Sequence, residues 1–267
     1  MSTEDFTLYK DRTEVCLDPP FHFPAGEMHV MQKFDVGVYT CVIRSTDPAA
    51  YMRAAMIRDA LPPNSGFRLV VPYLPAARSD RGYPAGGRIY ARLINLVGAS
   101  EVHCFDPHSP AMPHWISRCT VHEPTAAIAA AFAGRRIVGV IAPDAGAVSR
   151  AALAAGVLGV RLYRAGKHRD FSTGKLSGFF CEPLPDHGML LVVDDICDGG
   201  GTFRGLADAI GVPSTRLALW VSHGVFSGAA DTLRNFYSII ATTDSVRSQS
   251  LNADFTLPVL DFMPGAI

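Results

Sequence analysis

Leu190–Thr202 reads LLVVDDICDGGGT, and it concentrates chemically restrictive residues more than any other stretch of the chain. An apolar run ends in two carboxylates, Asp194 and Asp195. Asp198 follows, then Gly199, Gly200, Gly201 and Thr202 at the head of a helical pattern. Ligands of open α/β sheets bind beyond the carboxyl ends of strands. Glycines let main-chain N–H groups face an anion without obstruction by Cβ, and a helix start adds its positive end. Adjacent carboxylates would repel a bare phosphate but suit the vicinal hydroxyls of a ribose, so the segment predicts a sugar-phosphate site. A plain strand-to-helix turn with acidic caps is the competing reading, and it needs one glycine, not three. The segment is not a GxxxxGK[ST] phosphate loop.

The elements around it alternate. Strands are expected at Val36–Ile43, Phe67–Tyr73, Glu101–Phe105, Ile137–Ala142, Arg161–Tyr163, Leu190–Asp194, Leu217–Ser222 and Ser238–Thr242. Helices are expected at Pro48–Leu61 (capped by Thr46 or Asp47), Arg88–Val97, Ala126–Phe132, Ala147–Leu158 and Phe203–Ile210. That rhythm predicts an α/β fold of mostly parallel sheets flanked by helices. Pro107–Ser117 reads as irregular, and a boundary near His122–Pro124 divides the chain into domains 1–124 and 125–267. FSTGKLS, Phe171–Ser177, reads as a mobile loop able to close over the site.

The 267 residues are 48% apolar, enough for full cores, and only 18% charged, with a formal net charge of -1. No basic surplus points to nucleic acid. Six scattered cysteines form no CxxC pair, which argues against a zinc or redox motif and for reduced thiols in a cytoplasmic protein. The polar, acidic N-terminus is unlike a signal peptide, and the apolar runs are of strand length, so no membrane partner is expected.

The phosphate loop resembles the PRPP-binding motif of type I phosphoribosyltransferases and phosphoribosyl-pyrophosphate (PRPP) synthetases, which read two acids, two variable residues, then Asp-Thr-Gly-Gly-Thr or similar. Other segments favour the synthetases. Phe23-Pro24-Ala25-Gly26-Glu27 is similar to their F-x-D-G-E, and Val71–Arg81 to P-Y-x-x-Y-x-R-Q-D-R. Asp106-Pro107-His108 resembles D-L-H, Pro143-Asp144-Ala145-Gly146 resembles P-D-x-G with Arg150 following, and Ala165–Arg169 resembles K-R-R. Ser222–Gly228 and Thr242–Ser245 resemble T-H-G-x-F-S-G and T-N-T/S. The blocks occur in family order over nearly the whole chain, which is identified as a shortened, divergent member of the PRPP synthetase (ribose-phosphate pyrophosphokinase) family.

The resemblance implies two type I phosphoribosyltransferase-like domains with the active site between them, and a homo-oligomer in which a neighbouring subunit completes the ATP site. It implies Mg-dependent transfer of the β,γ-diphosphate of ATP to the C1 hydroxyl of ribose 5-phosphate. Phe23, Ala25, Gly26, Glu27, Arg78, Ser79, Asp80 and His108 would bind ATP. Asp194 and Asp195 would hold the ribose, and Asp198–Thr202 its 5-phosphate. His108 and Asp144 would meet Mg2+, and Lys167 and Arg169 would stabilise the transition state. Taken without the resemblance, Phe23 is most simply core, and Arg78, Asp80, Arg81, His108, Lys167 and Arg169 are ordinary surface or loop residues.

Three positions depart from the pattern: Ala25 for Asp, Ser79 for Gln and Gly199 for Thr. The last removes a hydroxyl and opens space beside the acceptor's phosphate. It motivates a larger acceptor such as ADP-ribose, giving ADP-ribose pyrophosphate for NAD salvage. The stretch after Ser245 is shorter than in typical members, which puts hexamers and their regulatory sites in question. A phosphoribosyltransferase or a non-catalytic regulatory homologue are the remaining alternatives. The Phe23–Glu27 and Tyr73–Arg81 segments argue against the first, and retention of Lys167, Arg169, Asp194 and Asp195 against the second.

Overall fold

A computed structural model describes residues 5–169 and 176–267, and the side chains of these residues except at 167–169, 176 and 177. The expected closing loop at Phe171–Ser177 therefore falls mostly outside the described residues. The chain separates into two compact units, Met1–His122 with Met263–Ile267, and Glu123–Phe262.

The first unit contains β1 (Phe6–Lys10), β2 (Thr13–Val15), β3 (Phe21–His22), β4 (Met28–His29), β5 (Val38–Ile43), α1 (Pro48–Ala60), β6 (Gly66–Val70), α2 (Gly86–Leu96), β7 (Glu101–Phe105), α3 (Ala111–Trp115) and β8 (Cys119–His122). Its six-stranded sheet has the order β2-β1-β5-β6-β7-β8. β5 to β8 are parallel, and β1 and β2 add an antiparallel edge. α1 starts as its sequence dictates: Pro48 needs no amide partner, and the Asp47 carboxylate accepts from Ala49 N at 2.9 Å. The core gathers alternate residues of the strands, Leu8, Cys41, Leu69 and Cys104, against Tyr51 and Ile57 of α1 and Ile94 of α2.

The second unit contains α4 (Thr125–Ala131), β9 (Ile137–Ala142), α5 (Val148–Leu158), β10 (Arg161–Arg169), β11 (Leu176–Cys181), β12 (Met189–Cys197), α6 (Gly201–Ile210), β13 (Leu217–Gly224), β14 (Ile239–Thr243) and β15 (Phe255–Leu257). The sheet order is β11-β10-β9-β12-β13-β14-β15, parallel except for the β10–β11 hairpin. All eight residues of β13 are buried, as a strand covered on both faces requires. Because β9, β12, β13 and β14 are parallel neighbours, the loops leaving their carboxyl ends share one edge of the sheet.

Several elements differ from expectation. The polar opening stretch is the β1–β2 hairpin, and the irregular stretch before the boundary holds α3. β10 runs to Arg169, well past the expected end at Tyr163, because it pairs with β11. β12 continues through Asp195 to Cys197, so the paired carboxylates lie within the strand, not beyond it. No helix among the described residues is long and apolar enough to cross a membrane.

Candidate active site

In the second unit the anion loop forms where β12 hands over to α6. Asp194 and Asp195 both face Arg150 of α5, whose two terminal nitrogens lie 3.8 Å from Asp194 Oδ1 and 3.8 Å from Asp195 Oδ2. All three side chains are largely buried, at 10%, 14% and 7% exposure for Arg150, Asp194 and Asp195. Asp194 Oδ1 also accepts from Asp195 N at 2.9 Å. Burial and the neighbouring Asp195 push the Asp194 carboxyl well above the usual range, against the opposing pull of Arg150. A pair in which one carboxyl keeps its proton offers a donor beside an acceptor, which matches a vicinal diol.

Past the strand, Asp198 accepts from the Ser227 hydroxyl, and Cys197 O accepts from Phe226 N at 3.0 Å. Both partners belong to the SHGVFSG segment that ends β13 and leads out of it, so that segment braces the loop. Gly200 is left-handed (φ 75°), and a Cβ there would meet Leu233 at 3.1 Å, so this position demands glycine. Gly199 and Gly201 are different. A Cβ on Gly199 would find nothing nearer than Ser227 O at 4.0 Å, and one on Gly201 would find open space. α6 begins at Gly201, and its N-cap residue Gly200 brings no capping side chain; Thr202 lies in its first turn. Arg204 Nη1 donates to Gly199 O at 2.8 Å and Ala229 O at 2.8 Å and lies 3.1 Å from Thr232 Oγ1.

Along the same edge, Asp144 follows β9 and turns Oδ1 onto Gly146 N at 3.0 Å and Ala147 N at 3.3 Å. His223 of β13 and Ser245 after β14 are buried and joined, Nδ1 to Oγ, at 2.7 Å. β10 passes the last residue of β9, whose Ala142 pairs with Arg164, and carries Lys167 opposite Phe179 and Arg169 opposite Leu176.

In the first unit, Phe23, Ala25, Gly26 and Glu27 form the exposed turn joining β3 to β4, closed by Gly26 N on Phe23 O at 2.8 Å. Phe23 is not core: it is 47% exposed and touches only the rings of Phe21 and His29 among aromatic neighbours. Neighbouring parallel strands β6 and β7 deliver the two other segments expected to meet ATP. Arg78 is exposed, as is His108 in the loop after β7. Ser79 Oγ accepts from Gly86 N at 3.1 Å, at the start of α2. Asp80 is no solvated surface acid: its side chain is 9% exposed and accepts from Ser109 Oγ at 2.6 Å, while Arg81, at 93%, stays in water. Asp80 and Ser109 thus fasten the Arg78–Arg81 loop to the Asp106–His108 loop. Sequence reasoning gave Ser109 and Arg204 no role and Arg150 no partner. Each is a common residue type, and only its placement reveals it.

Among the described residues no three His, Cys, Asp or Glu side chains gather to enclose a metal. Mg2+ held chiefly by substrate phosphates needs only one or two protein donors. Asp144 of the second unit uses Oδ1 in its own turn, and His108 of the first unit is exposed; each by itself is a donor type that such a substrate-borne ion accepts.

No protein-family model matches the chain. It is 30% identical over 246 residues to the ribose-phosphate pyrophosphokinase of Pyrococcus abyssi, covering 85% of this chain and 83% of the relative. It is 31% identical over 231 residues to that of Granulibacter bethesdensis, covering 77% and 71%. In structure it is similar to phosphoribosylpyrophosphate synthetase from Mycobacterium smegmatis, with TM-score 0.73, 19% identity and coverage of 92% and 87%. Two mostly parallel, helix-flanked sheets, one bearing a glycine loop after paired carboxylates, define an α/β protein of phosphoribosyltransferase-like fold. Within that class, the chain belongs to the ribose-phosphate pyrophosphokinase family.

Proposed function

We propose that this enzyme transfers the β,γ-diphosphate of ATP to the C1 hydroxyl of ribose 5-phosphate, releasing AMP and forming PRPP. Residues 1–124 are assigned to ATP and 125–267 to the acceptor. One observation carries the reading: three successive glycines, 199–201, open a helix four residues after two largely buried carboxylates, in a chain of this family.

The acceptor's C1 oxygen attacks the β-phosphorus, the bond from that phosphorus to the α–β bridging oxygen breaks, and AMP leaves with the bridging oxygen. No protein nucleophile is needed, so the protein positions the reactants and stabilises charge. Asp194 and Asp195 hold the ribose diol. Asp198 orders the turn through Ser227, and the amides of Gly199, Gly200, Gly201 and Thr202 receive the 5-phosphate. Lys167 and Arg169 meet the charge that develops on the transferred group. Phe23, Ala25, Gly26, Glu27, Arg78 and His108 contact ATP, with Ser79 and Asp80 shaping the loop that presents Arg78. Mg2+, for which we assign His108 and Asp144, would neutralise phosphate charge when bound.

The second reading keeps the chemistry and enlarges the acceptor to ADP-ribose. The unobstructed space at the Gly199 Cβ position favours it, since a phosphodiester carries less charge and needs room for a substituent. AMP release from ATP and Mg2+ should be measured with each acceptor. Faster release with ribose 5-phosphate removes the larger acceptor. Release with neither, alongside exchange of free bases with PRPP, makes the protein a phosphoribosyltransferase.

A further inference from the structure

Gly199 has no restraint of its own. Its φ is not left-handed, a Cβ there would touch nothing closer than 4.0 Å, and Gly201 beyond it is equally open. Of the three glycines only Gly200 is locked, by its left-handed φ and by Leu233. A free peptide at 199 could turn its carbonyl toward the anion in place of an amide, and a carbonyl dipole repels phosphate.

Arg204 prevents that turn. It is in the first full turn of α6, where side chains lean back toward the helix start. From there Nη1 reaches Gly199 O and Ala229 O, both at 2.8 Å, with Thr232 Oγ1 at 3.1 Å. Thr232 Oγ1 itself donates to Ala229 O at 2.6 Å, so the anchor on the far side is fixed before Arg204 arrives. Every one of these partners is electrically neutral. No carboxylate among the described residues forms an ion pair with Arg204, whereas Arg150, Arg161, Arg164 and Arg234 all have one. Arg204 therefore clamps the loop and leaves its positive charge beside it.

We infer that Arg204 is a positioning residue for the acceptor: it captures the Gly199 carbonyl so that the amides of 199–202 stay turned toward the acceptor's phosphate. The inference rests on the acceptor-site reading above and adds a residue to it.

The test uses the full chain with ATP, Mg2+ and ribose 5-phosphate, and calorimetric binding of ribose 5-phosphate as a readout independent of turnover. Arg204→Ala should raise KM and Kd for ribose 5-phosphate by about tenfold, the size of a lost charge-assisted hydrogen bond, with KM for ATP and kcat within about twofold. Arg204→Lys should recover part of the loss, since an ammonium carries donors enough for both carbonyls but sits on a shorter stem and is more strongly hydrated. The loss from Arg204→Ala should be smaller when Gly199→Ala is also present, because Ala narrows the backbone freedom the clamp suppresses. Unchanged acceptor affinity in Arg204→Ala overturns the inference. So does a uniform loss in both KM values and kcat with a lowered Tm, or a loss undiminished by Gly199→Ala. Absent turnover with retained ribose 5-phosphate binding would sink the reaction proposed above, while the Kd comparison would still decide Arg204.

Discussion

Replacing Arg150 by Met tests the carboxylate pair directly. Met keeps the length and apolar stem of the side chain and removes the charge that holds Asp194 and Asp195 at 3.8 Å each. At that distance a pair of full charges is worth about 4 kcal/mol at an effective dielectric constant of about 20, and with one carboxyl protonated Arg150 meets one such charge. Part of this offsets the desolvation of all three groups, and removing one partner of a buried ionic cluster costs about 3–5 kcal/mol. For a unit of this size that corresponds to a fall in Tm of roughly 6–20 °C. The sign with pH follows from the direction of the Asp194 shift. A carboxyl whose value is raised in the folded state takes up a proton on folding, so its cost is absent below its ordinary 3.8 and grows as pH climbs through the raised value. Arg150→Met raises that value further and should lose most at pH 8 and least near pH 5. Thermal melts followed by circular dichroism at the two pH values measure the difference. Adding Asp194→Asn to Arg150→Met should recover much of the loss at pH 8. A Tm within about 2 °C of the parent at pH 8, or the same loss at both pH values, would refute the reasoning.

Four further outcomes are expected. Gly200→Ala forces a side chain into a left-handed position and onto Leu233, costing about 1–2 kcal/mol in chemical denaturation and weakening ribose 5-phosphate binding. Asp80→Ala frees Ser109 and loosens two nucleotide loops, so KM for ATP should rise about tenfold while KM for the acceptor holds. Lys167→Ala should lower kcat by about a hundredfold or more while ATP binding, followed by calorimetry, persists. EDTA should abolish AMP release, and excess Mg2+ should restore it.

What the sequence disclosed, and what it hid, divides by chemistry. β13 and the apolar part of β12 were legible because a parallel strand covered on both faces must be apolar throughout. The β1–β2 hairpin was not. At a sheet edge only one face is covered, so Phe6 and Leu8 alternate with polar residues and the stretch reads as a solvated terminus. β10 was cut short for a related reason. Its second half carries Lys167 and Arg169, and there it is pairing with β11 that makes the run a strand. At the site, acids and glycines announced the loop, since few other residue types could serve there. Arg204 and Ser109 resemble any surface residue until tertiary structure brings Gly199 and Asp80 to them. Phe23 reversed the usual expectation for a large aromatic, because a two-stranded hairpin has no interior to bury it in.

The first unit is assembled from two distant pieces of chain, residues 1–122 and residues 263–267, and the second from one continuous run. Every residue of the second unit is therefore synthesised before the last residues of the first. Met263 and Ala266, both buried, are thus added last to the unit that was begun first.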